Sequence, residues 1–134
     1  MKAYKVFSLV LAVVFAIVGI TFLLIPDRVI ALFNDLSSSI GMAAVQVVGY
    51  NFYLTLAVGY MYLVTLLAAF MYRYPKNTIY PLLLCHGKFA SAALSILLFV
   101  LHKPFLLYLG NGIVDGGIGI VVLIIYLRKK RVTR

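Results

Sequence analysis

Three ionisable residues, His86, Lys88 and Asp115, sit inside long apolar runs that hold no other Lys, Arg, His, Asp or Glu. A charge in hydrocarbon is expensive, so residues of this type at this depth have a task to perform. An ammonium and a carboxylate within reach of each other can lock two helices in register, pass a proton or ion, or anchor a polar headgroup. If they do not meet, each must face a partner subunit or a water-filled crevice.

Counting from the turn between their two runs brings the pair to one level. Lys88 lies 13 residues before Leu101, about 20 Å along a helix, and Asp115 lies 11 residues after Pro104, about 16 Å along the next. A lysine stem spans this difference of two residues, about 3 Å of helix rise, and pairing removes the cost of two isolated charges. The flanking residues agree: Cys85, Lys88, Ser91, Ala92 and Ser95 share one side of their run, and Asn111, Gly112, Asp115, Gly116 and Gly119 share one side of theirs. Gly112, Gly116 and Gly119 against Ser91 and Ser95 are small enough for close backbone approach. These faces are expected to meet around Lys88 and Asp115, with His86, Asn51 and Asn111 bordering the cluster.

His86 is two residues from Lys88, roughly 200° around the helix, and is expected to face the first or second run as a hydrogen-bonded structural residue. A bis-histidine haem within this chain is not expected, because the other histidine, His102, is about 24 Å further along the same helix. Adjacent Cys85 and His86 point apart, so no metal set forms. The stripe Tyr50, Tyr53 and Tyr60 could stack on a quinone ring or a lipid, or could be amphipathic packing with its hydroxyls satisfied. No nucleophilic triad, phosphate loop or pair of carboxylates appears, and no catalytic residue is assigned. Gly110-Asn111-Gly112 lies inside an apolar run and reads as close packing, without the strand and helix that a nucleotide loop needs.

The elements that carry these residues follow from composition. The chain is 65% hydrophobic and 11% charged, with a mean hydropathy of +1.12, far from the balance of soluble domains. It reads as an all-α, polytopic membrane protein: a single antiparallel bundle of four spans at about 6–25, 43–71, 79–101 and 104–127, with no separate domain outside the membrane. The first run ends in Leu24-Ile25-Pro26-Asp27 without a small-residue cleavage site, so it is expected to be a retained span, nearly featureless and lipid-facing. Val29, Leu32, Phe33, Leu36 and Ile40 recur at helical spacing after Pro26, which predicts a short amphipathic helix at the membrane surface over about 27–40; a polar loop folded onto the bundle is the alternative. The second run carries two polar stripes, Gln46, Tyr50, Tyr53 and Tyr60, and Asn51, Thr55, Tyr62 and Thr65, which predict two protein neighbours.

The net charge of +9 is topological, because the basic residues cluster at the ends of runs. Lys2, Lys5, Arg73, Lys76 and the tail residues Arg128, Lys129, Lys130, Arg131 and Arg134 fall on one side, against Arg28 and Lys103 on the other. The positive-inside bias places both termini, including a basic tail over 128–134, in the cytoplasm and the chain in the cell membrane. Nucleic acid is not an expected partner. One cysteine excludes an internal disulfide and paired-thiol redox chemistry.

A first span running into Pro26, an amphipathic Val29 to Phe33 stretch, a tyrosine-rich second span and a compact hairpin together resemble the small DoxX-like membrane proteins. The resemblance covers most of the chain in outline and carries over no site residue. It implies a four-helix membrane fold and, as in some members, association as a small subunit with quinone-linked oxidoreductase complexes. The expected function is a non-catalytic accessory or structural subunit of a larger membrane complex, plausibly a respiratory or other electron-transfer one, with lipids and other subunits as partners. A small proton-coupled transporter or permease, acting as an oligomer through Lys88 and Asp115, is the alternative from another class. A membrane enzyme acting on a lipid or quinone has only His86 as a candidate base.

Overall fold

The computed structural model describes residues 2–46, 51–101 and 104–132, with backbone alone at 51–52 and 130–132. Five helices follow one another: α1 (Lys2–Leu24), α2 (Pro26–Ser39), α3 (Asn51–Arg73), α4 (Ile79–Leu101) and α5 (Leu106–Val132). Four of them, α1, α3, α4 and α5, are long and apolar enough to cross a membrane, and at most 28% of the apolar window in any of them is buried. Side chains such as Leu24, Tyr53, Val100 and Leu101 are two-thirds or more exposed. Only an apolar surrounding tolerates that belt, so the fold is a helical membrane bundle.

α1 packs along α3, α4 packs along α5, and the two pairs join mainly through α3 and α4. The start of α1, the α3–α4 turn and the end of α5 share one end of the bundle: Lys5 Nζ lies 5.9 Å from the Tyr72 ring centre, and Lys129 Nζ lies 4.4 Å from that of Tyr4.

Pro26 explains the break after α1. It lacks the N–H that would continue the helix, and it occupies the first turn of α2, where that donor is not needed. α2 ends in a Schellman turn, in which Met42 N–H donates to Ser37 O (2.8 Å) and Gly41 N–H to Ser38 O (3.3 Å). Gly41 sits at φ +71°, a left-handed conformation that a side chain disfavours. The Asn34 amide then grips the following segment in both directions, accepting from Val45 N (2.8 Å) and donating to Val45 O (3.1 Å). The amphipathic stripe of α2 divides: Phe33 reaches α5 at Gly110, while Leu32, Leu36 and Ile40 stay exposed.

Several boundaries differ from the sequence reading. α1 starts at Lys2 rather than 6, because Tyr4 and Ser8 are buried in the core and extend the packed face. It is not a featureless lipid-facing helix: Tyr4, Ser8, Ala12, Phe15 and Gly19 form a buried stripe, and a Cβ on Gly19 would lie 3.1 Å from Met61 Cβ of α3. α3 starts at Asn51 rather than 43, and residues 43–46 are not helical although Ala43, Ala44 and Val45 are apolar. α5 begins at Leu106 and continues to Val132, so most of the basic tail is helical, in keeping with the helix propensity of Arg and Lys.

Candidate functional site

Lys88 and Asp115 meet. Nζ of Lys88 donates to Asp115 Oδ1 at 2.7 Å, with the two side chains 2% and 6% exposed. The contact rests on close approach of α4 and α5. A Cβ on Gly112 would stand 2.9 Å from Ile96 Cγ1, one on Gly119 2.9 Å from Phe89 Cε1, and one on Gly116 3.6 Å from Ala92 Cβ. The small faces interlock as the spacing predicts. Cys85 Sγ donates to Gly119 O at 3.6 Å, on the other side of the pair from Asn111.

Asn111 lies one turn before Asp115 and closes the polar cluster from that side. Its Nδ2 donates to Ser95 Oγ (2.7 Å) and Ser91 Oγ (3.3 Å). A polar ladder therefore runs between α4 and α5, with the ion pair followed by the Asn111–Ser91–Ser95 group.

The other two membrane helices complete the enclosure with aromatic rings. The Phe15 ring centre of α1 is 4.6 Å from Lys88 Nζ, and the Tyr60 ring centre of α3 is 5.1 Å away. The ammonium thus has a carboxylate and two ring faces around it, each of which favours positive charge. The Tyr60 hydroxyl is buried near Ser91 and Asp115, with no well-aligned hydrogen bond. Phe15 was not singled out in the sequence, where it is one apolar residue among many in the first run. Only its place in the 4, 8, 12, 15, 19 stripe could have marked it.

His86 is not part of this cluster. It faces outward rather than toward the first or second span, and its Nδ1 contacts Leu82 O of its own helix at 2.8 Å. A carbonyl only accepts, so Nδ1 carries the proton and Nε2 is the atom left for other partners; none exists among the described residues. Among the described residues no helix packs over His86, which is exposed.

The two polar stripes of the second span do not face two helices. Tyr53 and Tyr62 are 70% and 65% exposed, Tyr60 turns inward, and Thr65 Oγ1 donates back to Met61 O at 2.7 Å. Val64, Ala68 and Met71 make the buried stripe instead. Gln46 lies in the non-helical segment, while Tyr50 and the Asn51 side chain fall outside the described residues, as do His102 and Lys103.

The assembled groups are an ammonium, a carboxylate and a phenol in a buried centre. They can hold or exchange a proton, and they oppose any sliding of α4 along α5. Among the described residues no three of His, Cys, Asp and Glu converge as a metal set would require. Comparison of the chain with protein-family models, with curated proteins and with solved structures returns no match.

Proposed function

We propose that the chain is a small non-catalytic subunit of a larger membrane complex, seated in the cell membrane with its basic end in the cytoplasm. The observation that carries this reading is the outward His86. Its Nε2 projects from a candidate membrane span with no partner among the described residues, and an unsatisfied polar atom facing lipid costs several kcal/mol. A neighbouring subunit bearing a hydrogen-bond donor removes that cost. The closed state of the Lys88–Asp115 pair supports the same reading, since both groups are spent on internal contacts that fix helix register. Nine basic residues in the segments at one end support the orientation. Resemblance in outline to DoxX-like proteins favours an electron-transfer assembly as the setting.

The test is purification from the source membrane in mild detergent, with mass spectrometry of whatever accompanies the chain in fixed ratio. Stoichiometric companions are expected. A homogeneous species without companions sinks the proposal.

A second reading rests on the buried Tyr60 hydroxyl beside the ion pair, an arrangement that could relay a proton in a coupled transporter. Under it, Lys88→Met with Asp115→Leu abolishes proton-coupled flux in a protein that still folds. Under the subunit reading the same variant keeps its companions.

A further inference from the structure

The α3–α4 turn holds an open concavity of about 440 Å³, lined by Arg73, Tyr74, Pro75, Lys76, Asn77 and Tyr80. That volume is in the range of small-ligand sites. Two of its lining rings, Tyr74 and Tyr80, pack with Phe70 behind them at centroid separations of 5.3 to 6.3 Å, and the Arg73 guanidinium lies 5.8 Å from the Tyr74 ring centre. Asn77 spends its Oδ1 on Ile79 N–H (2.9 Å), which braces the turn and leaves the amide Nδ2 as a donor at the cavity. Arg73 ends one membrane helix and Ile79 begins the next, so the cavity opens at the level where lipid headgroups lie.

Charge decides what such a cavity holds. The sequence has three acidic side chains: Asp27 and Asp35 lie on α2, at the opposite end of the bundle, and Asp115 is bonded to Lys88. No acidic side chain is placed to neutralise Arg73 or Lys76, and Lys5 and Lys129 add positive charge at the same end. At the other end Arg28 has Asp27 and Asp35 on its own helix, so the imbalance belongs to this end alone. A planar guanidinium, an ammonium and an amide donor suit a tetrahedral oxyanion, and the flanking tyrosines suit the boundary between glycerol and acyl chain.

The geometry points to a phosphate-binding site at the α3–α4 turn, occupied by the headgroup of an anionic phospholipid. Arg73 and Lys76 clamp the phosphate, Asn77 donates to it, and Tyr74 and Tyr80 pack on the glycerol end. This site is independent of any partner subunit.

The experiment is native mass spectrometry of the full chain in mild detergent, titrated with phosphatidylglycerol or with phosphatidylcholine of the same acyl chains. A one-to-one phosphatidylglycerol adduct is expected to dominate. Arg73→Gln with Lys76→Gln should weaken it about tenfold or more, at roughly 1 kcal/mol per basic contact. Lys2→Gln with Arg128→Gln removes the same charge from the same end but lies off the cavity, and should change binding less than twofold. All four positions are exposed, and circular dichroism verifies that both variants remain folded. Equal loss in the two variants means a general surface field and overturns the site, as does equal retention of the two lipids. Excess inorganic phosphate should leave the adduct in place; displacement overturns the lipid as occupant and assigns the cavity to soluble phosphate.

Discussion

Lys88 Nζ stands 4.6 Å from the centre of the Phe15 ring, which joins the first helix of the chain to an ion pair formed between the fourth and fifth. Tyr60 does the same from α3. All four membrane-length helices therefore converge on one ammonium. In lipid, where apolar burial does not drive helices together, such a hub gives association a direction. The α1–α3 pair could slide along the α4–α5 pair at little cost if only aliphatic surfaces met. Two ring faces against one fixed charge oppose that sliding.

Removing one member of the ion pair should cost far more than removing both. Lys88→Met leaves Asp115 buried without its counter-charge, and breaking a buried pair in this way typically costs about 3–5 kcal/mol. Lys88→Met with Asp115→Leu replaces the pair by apolar groups of similar volume and should fall within about 1 kcal/mol of the parent. Unfolding in detergent, followed by circular dichroism, gives both numbers. A double variant as unstable as the single one would show that the pair supplies net stability beyond register.

Phe15→Leu keeps an apolar side chain at the hub but removes the ring face. A desolvated cation–π contact is worth about 2 kcal/mol, so a loss of that order is expected. The decisive quantity is the coupling between Phe15 and Lys88. In the Lys88→Met, Asp115→Leu background the same substitution should cost less by about 1 kcal/mol or more, measured as a double-mutant cycle. Equal costs in the two backgrounds would mean that Phe15 acts through packing alone.

The contrast between Phe15 and Lys88 shows what the chain reveals before its fold is known. Lys88 and Asp115 were found by counting residues from a turn, because helix rise converts sequence distance into depth and a lone charge in an apolar run stands out. The interlocking of Gly112 and Gly116 with Ala92 followed from the same register. Phe15 could not be found that way, since an aromatic among aliphatics becomes special only when a cation sits over it. Helical spacing turns His86 away from Lys88, but rotation about one helix says nothing of where the others stand, and His86 faces outward rather than toward α1 or α3. The end of the preceding segment is hidden for a similar reason: residues 43–45 are apolar, yet the Schellman turn at Gly41 and the grip of Asn34 on Val45 commit them to a non-helical path.

The glycines of α5 give a graded test of the α4–α5 interface. Gly117 has nothing within 4 Å of a would-be Cβ, so Gly117→Ala should stabilise by up to about 1 kcal/mol through helix propensity. Gly119 would meet one side of the Phe89 ring, at 2.9 to 3.2 Å, but that ring is 36% exposed and can swing away, so Gly119→Ala should fall between the other two. Gly112 would meet Ile96 Cγ1, close to the branch point of a stiff side chain, with Ala92 O behind it at 3.5 Å. Gly112→Ala should therefore destabilise by about 1–3 kcal/mol, the usual cost of overpacking. Thermal unfolding of the three variants should rank them in this order, and a Gly112→Ala protein as stable as Gly117→Ala would mean that the helices do not approach as closely as described.

His86→Leu separates a structural histidine from one that belongs to an interface. Among the described residues the hydrogen-bond partner of His86 is Leu82 O of its own helix, so leucine removes one local bond and an outward polar atom, and places an apolar side chain on an apolar belt. Stability in detergent should rise, because leucine removes the unsatisfied Nε2 from the apolar belt. In the source membrane the outcome should differ. If a neighbouring subunit donates to Nε2, leucine leaves that donor buried and unpaired, at a cost of about 1–3 kcal/mol, and the yield of co-purified companions should fall severalfold at unchanged expression. His86→Gln keeps a polar acceptor on the same face and should restore part of the yield. Full retention of companions by the leucine variant would place the subunit contact elsewhere on the bundle, and a large loss of stability in detergent would mean that His86 serves the fold itself.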